Sequence, residues 1–124
     1  MEDIVRFALK ELEKSNISYA EVRYVHSVGN GVIVKNQIPQ IGSFEETEGL
    51  GVRFILNNAL GFLSTNELDK NKIKELIERS VRKVNSNKKI NDKLNLASDK
   101  TFSDNYEVKQ KIKLADISFS EKIK

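Results

Sequence analysis

The sequence has no cysteine and no tryptophan, and only one histidine and one proline in 124 residues. Without cysteine there is no disulfide framework, no thiolate metal ligand and no thiol nucleophile, which fits a reducing compartment. A zinc hydrolase needs about three protein ligands, usually including two histidines one helical turn apart. With His26 alone, no such set can be assembled from this chain. Serine catalysis meets the same limit, since no Gly-x-Ser-x-Gly elbow is present and His26 is the sole candidate base. No apolar run approaches the roughly 20 residues that span a bilayer. The Met1-Glu2-Asp3 start is acidic where a secretory signal is basic, so a soluble, cytoplasmic protein is expected. These absences leave no catalytic, cofactor-binding or metal-ligating residue to nominate.

What is present is about one domain's worth of chain, with 39% hydrophobic residues and a net charge of +3. Ile4, Val5, Ala8, Leu9 and Leu12 recur at helical spacing and predict an amphipathic helix that ends at Ser15-Asn16. From Ile17 to Val28 the period becomes two, with Ala20, Val22, Tyr24 and Val28 on one side of a half-buried strand. Gly29-Asn30-Gly31 is expected to turn the chain back into Val32–Lys35. Asn36-Gln37-Ile38-Pro39 is expected to break that strand, and a third runs from Ile41 to Thr47. Val52–Leu56 and Ala59–Ser64, separated by Asn57-Asn58, predict a second hairpin. Asp69 is placed to cap a helix whose Ile73, Leu76, Ile77, Val81 and Val84 form one stripe. The expected class is α+β: a mainly antiparallel sheet of about five strands with two helices on one face, in the order α-β-β-β-β-β-α.

Residues 1–90 are expected to form this domain, and 91–124 a linker with the start of a following region. The Lys- and Asn-rich text from Asn85 to about Lys100 has no period. Tyr106, Val108, Lys109 and Ile112 to Ile117 predict a further extended segment. Ser118 or Ser120 is placed to cap a helix with Glu121 in its first turn. That helix has about one turn before Lys124, too little to be stable alone, so the natural protein is expected to continue.

Four constellations invite a functional reading. His26 shares the parity of Val22 and Tyr24, and a partly buried strand histidine is preferred over a ligand. Glu45 and Glu46 are adjacent on a strand and point to opposite faces, which disfavours paired-acid catalysis with Glu48. Gly49-x-Gly51 precedes a strand and not a helix, so a bend or close packing is preferred over a phosphate loop. Between Asp69 and Lys89, eight cations (Lys70, Lys72, Lys74, Arg79, Arg82, Lys83, Lys88, Lys89) face three acids (Asp69, Glu75, Glu78). Lys72, Arg79 and Lys83 approach one exposed side, but no interleaved aromatics accompany them, and a solvated helix face is preferred over a nucleic-acid site. Arg53 and Glu21 are candidates for a structural cross-strand ion pair.

The order of Tyr19-Ala20-Glu21-Val22-Arg23, a variable hairpin, Gly49-Leu50-Gly51-Val52-Arg53 and Gly61-Phe62-Leu63-Ser64-Thr65-Asn66 resembles the N-terminal domain of the TldD/PmbA family over about residues 17 to 84. Phe54 and Leu63 depart mildly from the family's pattern. These proteins are zinc-dependent peptidases once labelled modulators of DNA gyrase. The resemblance implies a parent of several hundred residues whose C-terminal domain carries, in active members, a His-Glu-x-x-x-His helix and a further zinc ligand. None of those positions exists here, so no site residue carries over and no cofactor is expected in this chain. The implied partners are the parent's own catalytic domain, a second copy or an inactive paralogue, and an unfolded or short peptide substrate. Two other readings remain open: a stand-alone basic nucleic-acid-binding module, and a purely structural dimerisation domain or inactive paralogue.

Overall fold

In the computed structural model, which describes residues 1–86, 94, 96–98 and 100–123, the chain begins with α1, Glu2–Glu13. It continues through β1 (Tyr19–Lys35), β2 (Ile38–Leu56), β3 (Ala59–Thr65) and α2 (Lys70–Ser86). A single 3₁₀ turn, Leu114–Asp116, and a short α3, Phe119–Ile123, follow. The three strands form one sheet in the order β1-β2-β3. The α+β class therefore holds, and the five predicted strand segments are carried by three long strands.

The strands are longer than expected because the chain does not turn at Gly29-Asn30-Gly31, which lies inside β1. The reversal falls at Asn36-Gln37, the two residues between β1 and β2, with φ of 52° and 61°. Positive φ at both central positions is the backbone requirement of a two-residue hairpin whose twist matches its strands. Pro39 sits just inside β2 and does not end it. There β2 lies beyond its pairing with β3, which starts at Leu50, so a missing N–H is tolerated. The second hairpin forms as predicted: Asn57 and Asn58 have φ of 52° and 63°, and Leu56 pairs with Ala59.

The chain divides into two compact units, Met1–Ser27 with Thr47–Leu96, and Val28–Glu46 with Ala97–Lys124. The first holds the hydrophobic core. Leu50, Val52, Phe54 and Leu56 of β2 and Leu63 of β3 point to one side of the sheet, where they meet Ala8 and Leu12 of α1 and Ile73 and Ile77 of α2. Ala20, Val22 and Tyr24 of β1 and Leu76, Val81 and Val84 of α2 complete the contact. All five predicted stripe residues of α2 thus face the core. Ile73 and Ile77 are fully buried and Leu76, Val81 and Val84 partly so; full burial of a side chain of this size contributes about 1.5–3 kcal/mol before the entropy of ordering the helix. Asp69 starts α2 as expected, its Oδ1 accepting the backbone N–H of Asn71 at 2.9 Å and of Lys72 at 3.0 Å. Phe7 adds a packing contact to α1 and lies under the Lys70 ammonium, 5.7 Å from the ring centre.

Gly61 is fixed by its neighbour across the sheet. A Cβ built there would lie 2.5 Å from Cε2 and 2.6 Å from Cε1 of Phe54, inside the ring's van der Waals surface. Phe54 and Gly61 are paired in register, so the aromatic ring fills the space that the missing side chain leaves.

In the second unit, Ser118 and Glu121 form a reciprocal capping box at α3. The Ser118 hydroxyl also donates to Glu121 Oε2 at 2.8 Å, and these bonds hold the Glu121 carboxyl below the usual carboxylate range. The Lys122 ammonium donates to Asn30 Oδ1 at 3.0 Å. The expected extended segment from Tyr106 is not a strand, because residues 101–110 have no regular structure and the chain then enters the 3₁₀ turn. No helix among the described residues is long and apolar enough to cross a membrane.

Candidate functional site

Alternation along a strand puts every second residue of the first unit's sheet on the face away from the helices. Glu21, Arg23 and Val25 of β1, Gly51 and Arg53 of β2, and Phe62 of β3 line a concavity of ≈ 280 Å³ on that face. The register explains the grouping: Arg53 stands opposite Phe62 and Gly51 opposite Ser64. A second hollow adjoins it, sharing Val25 and Gly51 and extending past Gly49 to Ser64 and Asn66.

The charged groups form one network. Glu21 Oε2 accepts from Arg53 Nη2 and from the Tyr19 hydroxyl, the latter at 2.9 Å. Glu21 Oε1 accepts from Arg23 Nη2 at 3.3 Å. The anticipated Arg53–Glu21 pair is therefore made, and it includes two partners that the sequence did not announce. Hydrogen bonds from Tyr19 and Arg53 hold the Glu21 carboxyl below the usual carboxylate range, with the nearby guanidinium charges adding to the effect. Tyr19 and Glu21 in turn hold Arg53 more firmly protonated. Two cations share one carboxylate, so this face carries a local excess of one positive charge.

Exposed apolar side chains accompany the charges. Phe62 is 66% and Val25 51% exposed, and Leu60 is also open. Gly51 forms the floor between them. A Cβ added there would meet only the Arg23 carbonyl oxygen at 3.9 Å, an ordinary contact, and the residue does not need positive φ. Gly49 differs, since its added Cβ would press to 3.2 Å against the Thr65 carbonyl oxygen. The expected close packing thus explains Gly49 but not Gly51, and both lie within β2.

None of the other candidates lines this concavity. His26 is exposed, a correction to the partly buried position expected from its parity. The buried stretch of β1 fades after Tyr24, so parity alone no longer confers burial. Glu45, Glu46 and Glu48 are all exposed along β2. On α2, Lys72 turns to Glu75 at 3.8 Å, while Arg79 and Lys83 join Arg82 and Ser86 around a shallow hollow. Lys88 and Lys89 lie outside the described residues, as does most of the expected linker. Among the described residues no three His, Cys, Asp or Glu side chains converge as a metal group.

Comparison with known proteins adds to this geometry. The fold is similar to the crystal structure of TldE from Thermococcus kodakarensis, with a TM-score of 0.62 and 19% sequence identity. The likeness covers 86% of this chain and 23% of that one, so the chain spans about a quarter of its structural relative's length. No curated protein matches the sequence. The family model described as PmbA/TldA metallopeptidase domain 1 matches residues 20–83, from β1 through most of α2. That match takes in more than half of the chain and every residue lining the concavity, and on it the chain belongs to the PmbA/TldA family, as an N-terminal domain.

Proposed function

We propose that this chain is the non-catalytic first domain of a zinc-dependent peptidase of the TldD/PmbA type, acting in the cytoplasm. Residues 1–90 would form the domain proper and 91–124 the lead into the next region. Its role would be to frame a chamber that admits short or unfolded peptides and to contribute to a homodimer or paralogue heterodimer. The observation that carries this reading is the family match over residues 20–83, whose description names the first domain of a metallopeptidase. The residues of this chain do not fit a zinc site, since a single histidine and no cysteine are available. Any zinc would belong to a separate catalytic domain of the same protein.

The test is metal analysis and peptide cleavage by the full-length protein. Zinc bound by the protein, and cleavage of an unstructured peptide that is lost on chelation, are the expected results. Protein with neither metal nor cleavage would leave only the inactive-paralogue form of the proposal.

A second reading, a basic nucleic-acid-binding surface, is favoured by the grouping of Arg79, Arg82 and Lys83 around one hollow. Binding through several phosphates would weaken steeply with added salt, and absence of binding at low salt would remove this reading.

A further inference from the structure

We infer that the outer face of the sheet binds a carboxylate that carries a bulky apolar group, as the free C-terminal residue of a peptide ending in Phe or Leu does. The identification of the ligand as a peptide rests on the peptidase reading above. The geometry itself calls for the carboxylate and the apolar arm.

Three observations converge on it. The first is Gly51. Glycine in a strand interior weakens the strand, and it persists there for a bulge, a tight bend or the close approach of a ligand or another backbone. Neither crowding nor backbone conformation requires it, since an added Cβ would fit at 3.9 Å from its nearest neighbour and φ is not positive. What its hydrogen side chain does is keep the floor of the concavity open.

The second is the wall. Phe62 and Val25 stand exposed on either side of that floor, at 66% and 51%. A volume of ≈ 280 Å³ is near the lower end of small-ligand sites and suits one large side chain with its terminal group.

The third is the charge. Arg53 and Arg23 share the Glu21 carboxylate, each through Nη2, and a guanidinium has five N–H donors. The pair is left with one uncompensated positive charge and donors in the planar arrangement that matches a carboxylate. Arg23 is the freer of the two, with its side chain 74% exposed and its bond to Glu21 at 3.3 Å. A ligand carboxylate on the guanidinium groups would place the adjoining side chain over Gly51, between Val25 and Phe62.

The test uses full-length protein and a fluorescein-labelled hexapeptide ending in Phe, supplied as the free acid and as the C-terminal amide. Fluorescence polarisation reports binding, and mass spectrometry of the same samples reports cleavage. The free acid should bind at least about tenfold more tightly than the amide, a difference of about 1.4 kcal/mol. Arg53→Gln should abolish that preference. Gly51→Val should eliminate binding while leaving the thermal midpoint unchanged or raised, because a β-branched residue suits a strand. Equal binding of acid and amide, or full binding by Gly51→Val, would overturn the proposal. Octanoate displacing the peptide as effectively as the unlabelled peptide acid would overturn its peptide assignment in favour of an acyl carboxylate. Binding with the acid preference but no cleavage would tell against the peptidase reading alone, and cleavage without the preference would tell against this site alone.

Discussion

Substituting Gly61 with alanine should destabilise the protein through one contact, the ring of Phe54. The added methyl would sit 2.5–2.6 Å from two ring carbons, where close packing requires about 3.5–4.0 Å. Phe54 is fully buried, so the ring cannot swing into solvent and must shift against the core. Overpacking of this kind costs about 1–3 kcal/mol, and an off-rotamer ring adds about 0.5–1.5 kcal/mol. Alanine recovers about 0.5–1 kcal/mol through its lower conformational entropy in the unfolded chain. The net loss should be about 2 kcal/mol, a large fraction of the stability of a domain this size. Urea denaturation followed by circular dichroism would measure it, and a double-mutant cycle with Phe54→Leu would identify its source. Leucine lacks the ring atoms that the methyl meets, so Gly61→Ala in that background should be neutral or mildly stabilising. The coupling should be about 2 kcal/mol, within the range for residues in contact. Equal effects of Gly61→Ala in both backgrounds would refute the argument, because the loss would then arise from the backbone of β3 and not from the ring.

Two further outcomes follow from polar groups. Asp69→Ala removes the acceptor of two backbone N–H groups at the start of α2 and should cost about 1 kcal/mol, whereas Asp69→Ser should recover most of it. Equal stability of the alanine and serine variants in urea would contradict the cap. The Glu21 carboxyl should titrate below the ordinary carboxylate range by NMR, because folding favours its charged form. Its contribution to stability is present above the unfolded pKa and is lost as pH falls through the folded one, so the Glu21→Gln penalty should shrink in acid. A penalty that is independent of pH would show that the Tyr19–Arg53–Glu21 network does not favour the carboxylate.

The parts of the fold that local periodicity governs were legible in the sequence. The α2 stripe, the Asp69 cap, the Asn57-Asn58 turn and the Ser118–Glu121 helix start each depend on residues within a few positions of one another. The first reversal was not legible, because composition favoured the wrong place. Gly29 and Gly31 tolerate a turn but do not require one, whereas Asn36 and Gln37 adopt positive φ with side chains that the sequence gives less reason to expect there. His26 was misplaced because strand parity says which side a residue faces and not how far the helices extend over it. The outer-face site depended on pairing between strands. Arg53 and Glu21 were nominated as partners, but neither Phe62 nor Gly51 could be joined to them without the β2–β3 register. Of the two glycines in Gly49-x-Gly51, only the folded neighbours of each distinguish the one that packing explains from the one that it does not.

In the first unit α1 and α2 pack on one face of the sheet, which should divide the constraints on its strands. Positions 52, 54, 56, 59, 61 and 63 face the core and have little freedom in volume. Positions 51, 53, 60, 62 and 64 face outward, where a replacement disturbs little packing and acts mainly through chemistry. In a library of single substitutions along β2 and β3, sensitivity to abundance and sensitivity to binding should therefore alternate residue by residue, except at Ile55, which pairs with Leu60 yet is buried. Adjacent letters of the same strand would record two different selections, one for folding and one for what the open face holds.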